Sequence, residues 1–307
     1  MSPGWFQFSA EDFSYAFISV LLEGVPFILL GTLVAGVIDQ FLPSKTMVRF
    51  LPRNAFLGIC LSAAMGLFFP MCECGVVPVI RRLIAKGLPV SNAVAYMLAA
   101  PIVNPIVAVS TYAAFRGQAA AEFTFLRLGL GFFVAVVAAF AVHNLTVGKV
   151  LRREVIESAT LQPDAGGVAI RPFGRRLVGA LESGVRDFLD VMVYFVLGVG
   201  VASVFSTAVN QEIIIPLALN EWTAVGSMMV LAGILSLCST SDAFIAATFT
   251  AFPGTAKLAF LVFGPMMDLK LLFIYSAVFR KLFVAGLAVG LFVFIGLICV
   301  RLGVLGI

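Results

Sequence analysis

Apolar runs of about twenty residues, separated by short polar or basic loops, set the rhythm of this chain. Uninterrupted runs occupy about 13–38, 89–115, 123–145, 185–206, 257–279 and 282–303. A bilayer core of roughly 30 Å is crossed by about 20 helical residues rising 1.5 Å each, so each run predicts a membrane span. Two further apolar stretches, 55–86 and 222–252, are interrupted in the middle. The first breaks at Phe69-Pro70-Met71-Cys72-Glu73-Cys74-Gly75, with Pro78 just beyond, and the second at Cys238-Ser239-Thr240-Ser241-Asp242. As a helix, 55–69 would reach only about 22 Å, too short to span. The pattern predicts an all-α polytopic membrane protein.

Composition agrees with that class. Of 307 residues, 61% are hydrophobic and 12% charged, whereas soluble domains carry about 25% charged residues. The mean hydropathy is +1.09. The formal charge of +4 does not suggest nucleic-acid binding, because the basic residues lie in loops between apolar runs. No basic region followed by a short apolar run and a small-residue cleavage site opens the chain, so no removable signal peptide is expected.

The one long polar connector, 146–176, divides the chain into a first transmembrane repeat at 1–145 and a second at 177–307. Leu22-Glu23-Gly24-Val25 is echoed by Leu181-Glu182-Ser183-Gly184-Val185, Cys72 by Cys238, and Pro101-Ile102-Val103-Asn104 by Pro265-Met266-Met267-Asp268. The connector carries Lys149, Arg152, Arg153, Arg171, Arg175 and Arg176, so it is expected on the cytoplasmic side. The basic loops with Lys45, Arg49 and Arg53 and with Arg81, Arg82 and Lys86 can join it there only if 55–86 enters the membrane and returns. The matching 207–221 loop has Glu212 and Glu221 but no Lys or Arg, as expected outside. The reading is two inverted repeats of three transmembrane helices plus one re-entrant hairpin each. Eight full transmembrane helices are the alternative.

Non-helical backbone at membrane depth persists only where protein or a water-filled cavity satisfies it. The two hairpin tips and the proline-broken helices at Asn104 and Asp268 are therefore expected to meet in a mid-membrane substrate site. Its candidate residues are Cys72, Glu73, Cys74, Cys238, Ser239, Asp242, Asn104 and Asp268. Thiolates select soft, thiophilic species, and trivalent arsenic binds two or three of them. Intramembrane carboxylates are costly and functional by default, which makes Glu23, Glu73 and Asp268 candidates for proton or ion coupling. Glu182, Arg186 and Asp190 are spaced for i,i+4 pairs at a cytoplasmic helix extension. Cys60 and Cys299 read as small hydrophobes, and His143 as an interfacial residue. Five cysteines show neither metal-finger spacing nor a disulfide framework, so no metal and no cofactor is expected. No P-loop is present, which favours coupling to an ion gradient.

At Cys72-Glu73-Cys74-Gly75-Val76-Val77-Pro78, Pro101-Ile102-Val103-Asn104-Pro105 and Cys238-Ser239-Thr240-Ser241-Asp242-Ala243, the sequence resembles the ArsP-type permease family over nearly its whole length. The resemblance implies a multi-pass permease of the cell inner membrane, not an enzyme, with efflux of trivalent organoarsenicals such as methylarsenite as its precedent. Partners implied are a small-molecule solute and the lipid bilayer, with no nucleic acid; homo-oligomerisation is left open. The competing readings are a permease for a metal ion or a sulfur-containing anion, and a membrane thiol oxidoreductase. The last lacks the usual Cys-x-x-Cys spacing.

Overall fold

The computed structural model describes residues 9–41, 52, 54–69, 71–153, 173–208 and 220–304. Most of the connector, Lys45, Arg49, Arg53, Pro70 and Glu212 lie outside the described residues. The fold is that of a multi-pass helical membrane protein. Among the described residues, five helical segments are long and apolar enough to cross a bilayer: Ala10–Phe41, Ala120–His143, Gly174–Thr207, Gly254–Tyr275 and Lys281–Val304.

One order of elements occurs twice. In the first half, the long helix α1 (Ala10–Phe41) precedes α2 (Ala55–Ala64), which tightens into a 3-10 turn at Met65–Leu67. Then come α3 (Glu73–Ala85), α4 (Val90–Ala99), α5 (Pro105–Ala114) and α6 (Ala120–His143). In the second half, the long helix α7 (Phe173–Ala208) precedes α8 (Glu221–Leu235) and α9 (Asp242–Thr248). These are followed by α10 (Gly254–Met266), α11 (Leu269–Tyr275) and α12 (Lys281–Val304). The apolar run 89–115 is thus two ten-residue half-helices rather than one rod, and 257–279 is likewise divided between α10 and α11.

The sequence starts and stops these half-helices locally. Asn104 caps α5, its side-chain oxygen accepting from the Ile106 N–H at 2.9 Å, and Pro105 fills the first helical position, where its missing N–H costs nothing. Asp268 caps α11 by accepting from the Leu271 N–H at 2.7 Å. At the end of α8, Ser236 takes a left-handed conformation, φ 49°, which stops the helix.

Glycines set how the helices lie. A Cβ on Gly36 would fall 2.2 Å from the Ala180 carbonyl oxygen, Gly24 abuts the Phe195 ring, and Gly179 faces Gln40. Helices α1 and α7 therefore run antiparallel in close contact. Their counterparts at the far ends of the repeats, α6 and α12, also run antiparallel, with Phe133 on Phe294 and Leu145 near Phe283.

Helix α3 runs parallel to α1. Gly75 lies against the Phe27 carbonyl, and further along Lys86 Nζ donates to the Asp39 carbonyl at 2.6 Å. Gly58, in the first turn of α2, touches Asn92, in the first turn of α4. Segment 55–85 thus begins and ends at one end of the bundle. At the opposite end, Glu221 at the start of α8 meets Gly303, while Gly254 at the start of α10 meets Phe123. Segment 221–254 begins and ends there.

Candidate functional site

The first break places Cys72, Glu73 and Cys74 at the head of α3, level with Phe27 near the middle of α1. Eleven residues of α3 then lead to Lys86, about 16 Å along the bundle axis, close to half of a roughly 30 Å core. The segment is level with the middle of α1 because α3 is a half-length helix held parallel to a full one.

Around it the two halves share one narrow cleft. Helix α1 supplies Val20, Glu23, Gly24 and Phe27, the i, i+3, i+4, i+7 face of the helix. Head-of-helix residues Cys72, Glu73 and Cys74 form the floor, and Phe195, Cys238 and Lys270 close it from the second half. Cys72 and Cys74 stand two positions apart at the head of α3 and line the same cleft. Glu73 is 1% exposed, whereas Glu23 is exposed at the rim. Among the described residues, no three His, Cys, Asp or Glu side chains are close enough to share a metal ion.

Two buried cations absent from the expected site organise it. Lys270, two residues after Asp268, lies 3.1 Å from Glu73 Oε1 and 3.3 Å from Asp268 Oδ2, and also donates to the Ser236 and Leu237 carbonyls at 2.8 and 3.2 Å. Arg127, on α6, is fully buried. It donates to Asp242 Oδ2 at 2.7 Å, to the Ser239 carbonyl at 3.0 Å and to Thr111 Oγ1 at 2.8 Å. Ser239 Oγ in turn donates to Glu73 Oε2 at 3.4 Å. A polar chain therefore runs Asp268–Lys270–Glu73–Ser239–Arg127–Asp242. Two of its ion pairs join one half to the other, Glu73 to Lys270 and Arg127 to Asp242, while Lys270 to Asp268 stays within the second half. A charge in the bilayer interior is expensive unless paired, and the cross-half pairs give Glu73 and Asp242 each a buried cation.

The expected residues thus divide into groups. Cys72, Glu73, Cys74 and Cys238 line the cleft, and Ser239 and Asp268 touch its charged groups. Asp242 turns to Arg127 instead. Asn104 is buried in its capping role, and its α5 packs on α9. Arg127 and Lys270 could have been noticed, since each is a cation inside an apolar run.

A second cluster lies at the end of the bundle where α1 and α3 finish. Arg82 pairs with Asp187 through two hydrogen bonds, 2.7 and 3.0 Å, and Arg81 reaches Asp190 at 3.1 Å. Arg82 and Lys86 also approach Asp39, at 3.6 and 3.7 Å. The i,i+4 pairs expected around Arg186 are not how these aspartates are used. Asp187 faces inward to α3, while Arg186 points to the exposed face of α7.

Comparison with known proteins bears on what such a site serves. The ArsP_1 family model, described as a predicted permease, matches residues 9–304. The UPF0718 protein YcgR of Bacillus subtilis is 38% identical over 282 residues, covering 91% of this chain and 92% of that protein. A protein of Streptococcus mutans, named a putative two-component membrane permease complex subunit, is 34% identical over 269 residues, covering 87% of each chain. No solved structure matches this chain.

Proposed function

This chain belongs to the ArsP_1 family of predicted permeases, and from that premise we propose that it exports a thiophilic small solute, a trivalent organoarsenical, across the cell inner membrane. The observation that carries the reading is that Cys72, Cys74 and Cys238, from two separate helix breaks, line one buried cleft with Glu73 and Lys270. Thiols are soft ligands, and Cys72 and Cys74, two positions apart in that cleft, suit a monomethylated arsenic centre. Two thiols would each displace one hydroxyl of methylarsonous acid as water, leaving arsenic bonded to one carbon and two sulfurs.

The two halves are read as inverted repeats with a re-entrant hairpin in each. The antiparallel pairing of α1 with α7 and α6 with α12 supports this, as does entry of 55–85 and 221–254 from opposite ends. Alternating access would rock the halves about the shared cleft. With the connector on the cytoplasmic side, the Arg82–Asp187 and Lys86–Asp39 pairs close the cytoplasmic end in the state described here.

The test is resistance to methylarsenite in sensitive cells producing the protein. Cys72→Ser and Cys74→Ser are each expected to abolish resistance while membrane expression persists. Unchanged resistance in both variants removes the thiol-ligand role, and saturable uptake of another solute insensitive to arsenicals, measured in vesicles, would replace the arsenical reading.

A further inference from the structure

Lys270 occupies an unusual setting for a side-chain ammonium. It is 2% exposed and lies within 3.3 Å of four oxygens: two carboxylates, Glu73 and Asp268, and two carbonyls, Ser236 and Leu237. The carbonyls belong to the two residues just past α8, which stops at Ser236 in a left-handed turn beside the ammonium. Carboxylates, freed carbonyls and the C-terminal end of a broken helix are what a transporter uses to hold a hard monovalent cation. The oxygens come from three elements: the head of α3, the end of α8 and the cap of α11.

We propose that this is a monovalent-cation site, of sodium type, whose occupant is tethered: the Lys270 ammonium stands where a free ion would otherwise sit. The protein therefore needs no sodium in this state. Truncating the lysine leaves two buried carboxylates and two carbonyls without their cation, a charge imbalance that a free alkali cation can relieve. The inference uses the same cleft as the proposed export but does not depend on its solute. Loss of the arsenical reading would leave it standing, and its own failure would leave the thiols untouched.

The experiment is a thermal unfolding series on the purified full chain in detergent, with NaCl, KCl or choline chloride at matched ionic strength. Wild type is expected to show the same Tm in all three. Lys270→Ala and Lys270→Met are expected to melt lower in choline and to recover by several degrees, saturably, in NaCl. Adding Glu73→Gln to Lys270→Ala should remove most of that recovery, because it removes one of the two negative charges that the cation would balance. A sodium-dependent Tm in wild type would overturn the proposal. So would variants that melt alike in all three salts, or that fail to fold in NaCl as in choline.

Discussion

Replacing Arg127 with leucine is expected to destabilise the protein by about 3–5 kcal/mol, the cost of leaving one member of a buried ion pair alone. Asp242 is 2% exposed and its Oδ2 is held by Arg127 at 2.7 Å, while its Oδ1 has no hydrogen-bond partner among the described residues. Among the described residues, no cation other than Arg127 is bridged to this carboxylate. Asp242→Leu should cost a similar amount by stranding the guanidinium, with only Thr111 and the Ser239 carbonyl left. The double variant should recover most of the loss, because neither charge then remains to be desolvated. Unfolding of the purified proteins in detergent provides the cycle. A double variant whose loss equals the sum of the single losses would mean that the pair does not act as a unit.

Gly31→Val carries the second large effect. A Cβ at Gly31 would lie 2.3 Å from the carbonyl oxygen of Gly75, and one at Gly75 would lie 2.8 Å from that of Phe27. The obstacle in each case is backbone, which cannot rotate away. Small residues let membrane helices approach this closely, and this contact fixes the head of α3, with Cys72 and Cys74, against α1. The substitution should cost about 3 kcal/mol, the upper part of the usual overpacking range. It should also move the thiols relative to Phe27, so the initial rate at which a maleimide modifies them should change in protein that still folds. A Tm and labelling rate equal to wild type would show that the contact does not set the position of the tip.

Local signals in the sequence marked this architecture well where the physics is local. Long apolar runs announce spans, and the breaks at Cys72 and Cys238 stand out because glycine, proline and polar residues interrupt otherwise unbroken apolar stretches. Asn104-Pro105 is a cap followed by proline, and it starts α5 as that pair should. Partner choice is different. Glu73 and Lys270 are 197 positions apart, and Arg127 and Asp242 are 115 apart; neither pairing leaves a trace in either neighbourhood. The same gap explains Asp187. A pairing rule based on i,i+4 spacing directs attention to Arg186, Glu182 and Asp190, whereas packing of α7 against α3 turns Asp187 toward Arg82. Lys270 and Arg127 were legible as isolated cations in apolar runs, but their roles were not. Those emerge only when the two helix breaks are brought face to face.

Side-specific labelling tests directly whether both breaks are tips of hairpins that enter from opposite sides. Single cysteines introduced at Asn54, Ala85, Gln118, Asn220 and Thr250 flank the two hairpins and a loop between spans. Impermeant maleimide is applied to intact cells and to inverted vesicles, with the parent protein as background. The account predicts that 54 and 85 label only from the cytoplasmic face and that 118, 220 and 250 label only from the other. Labelling of 54 and 85 from opposite faces would make 55–86 a full crossing and contradict the shared site.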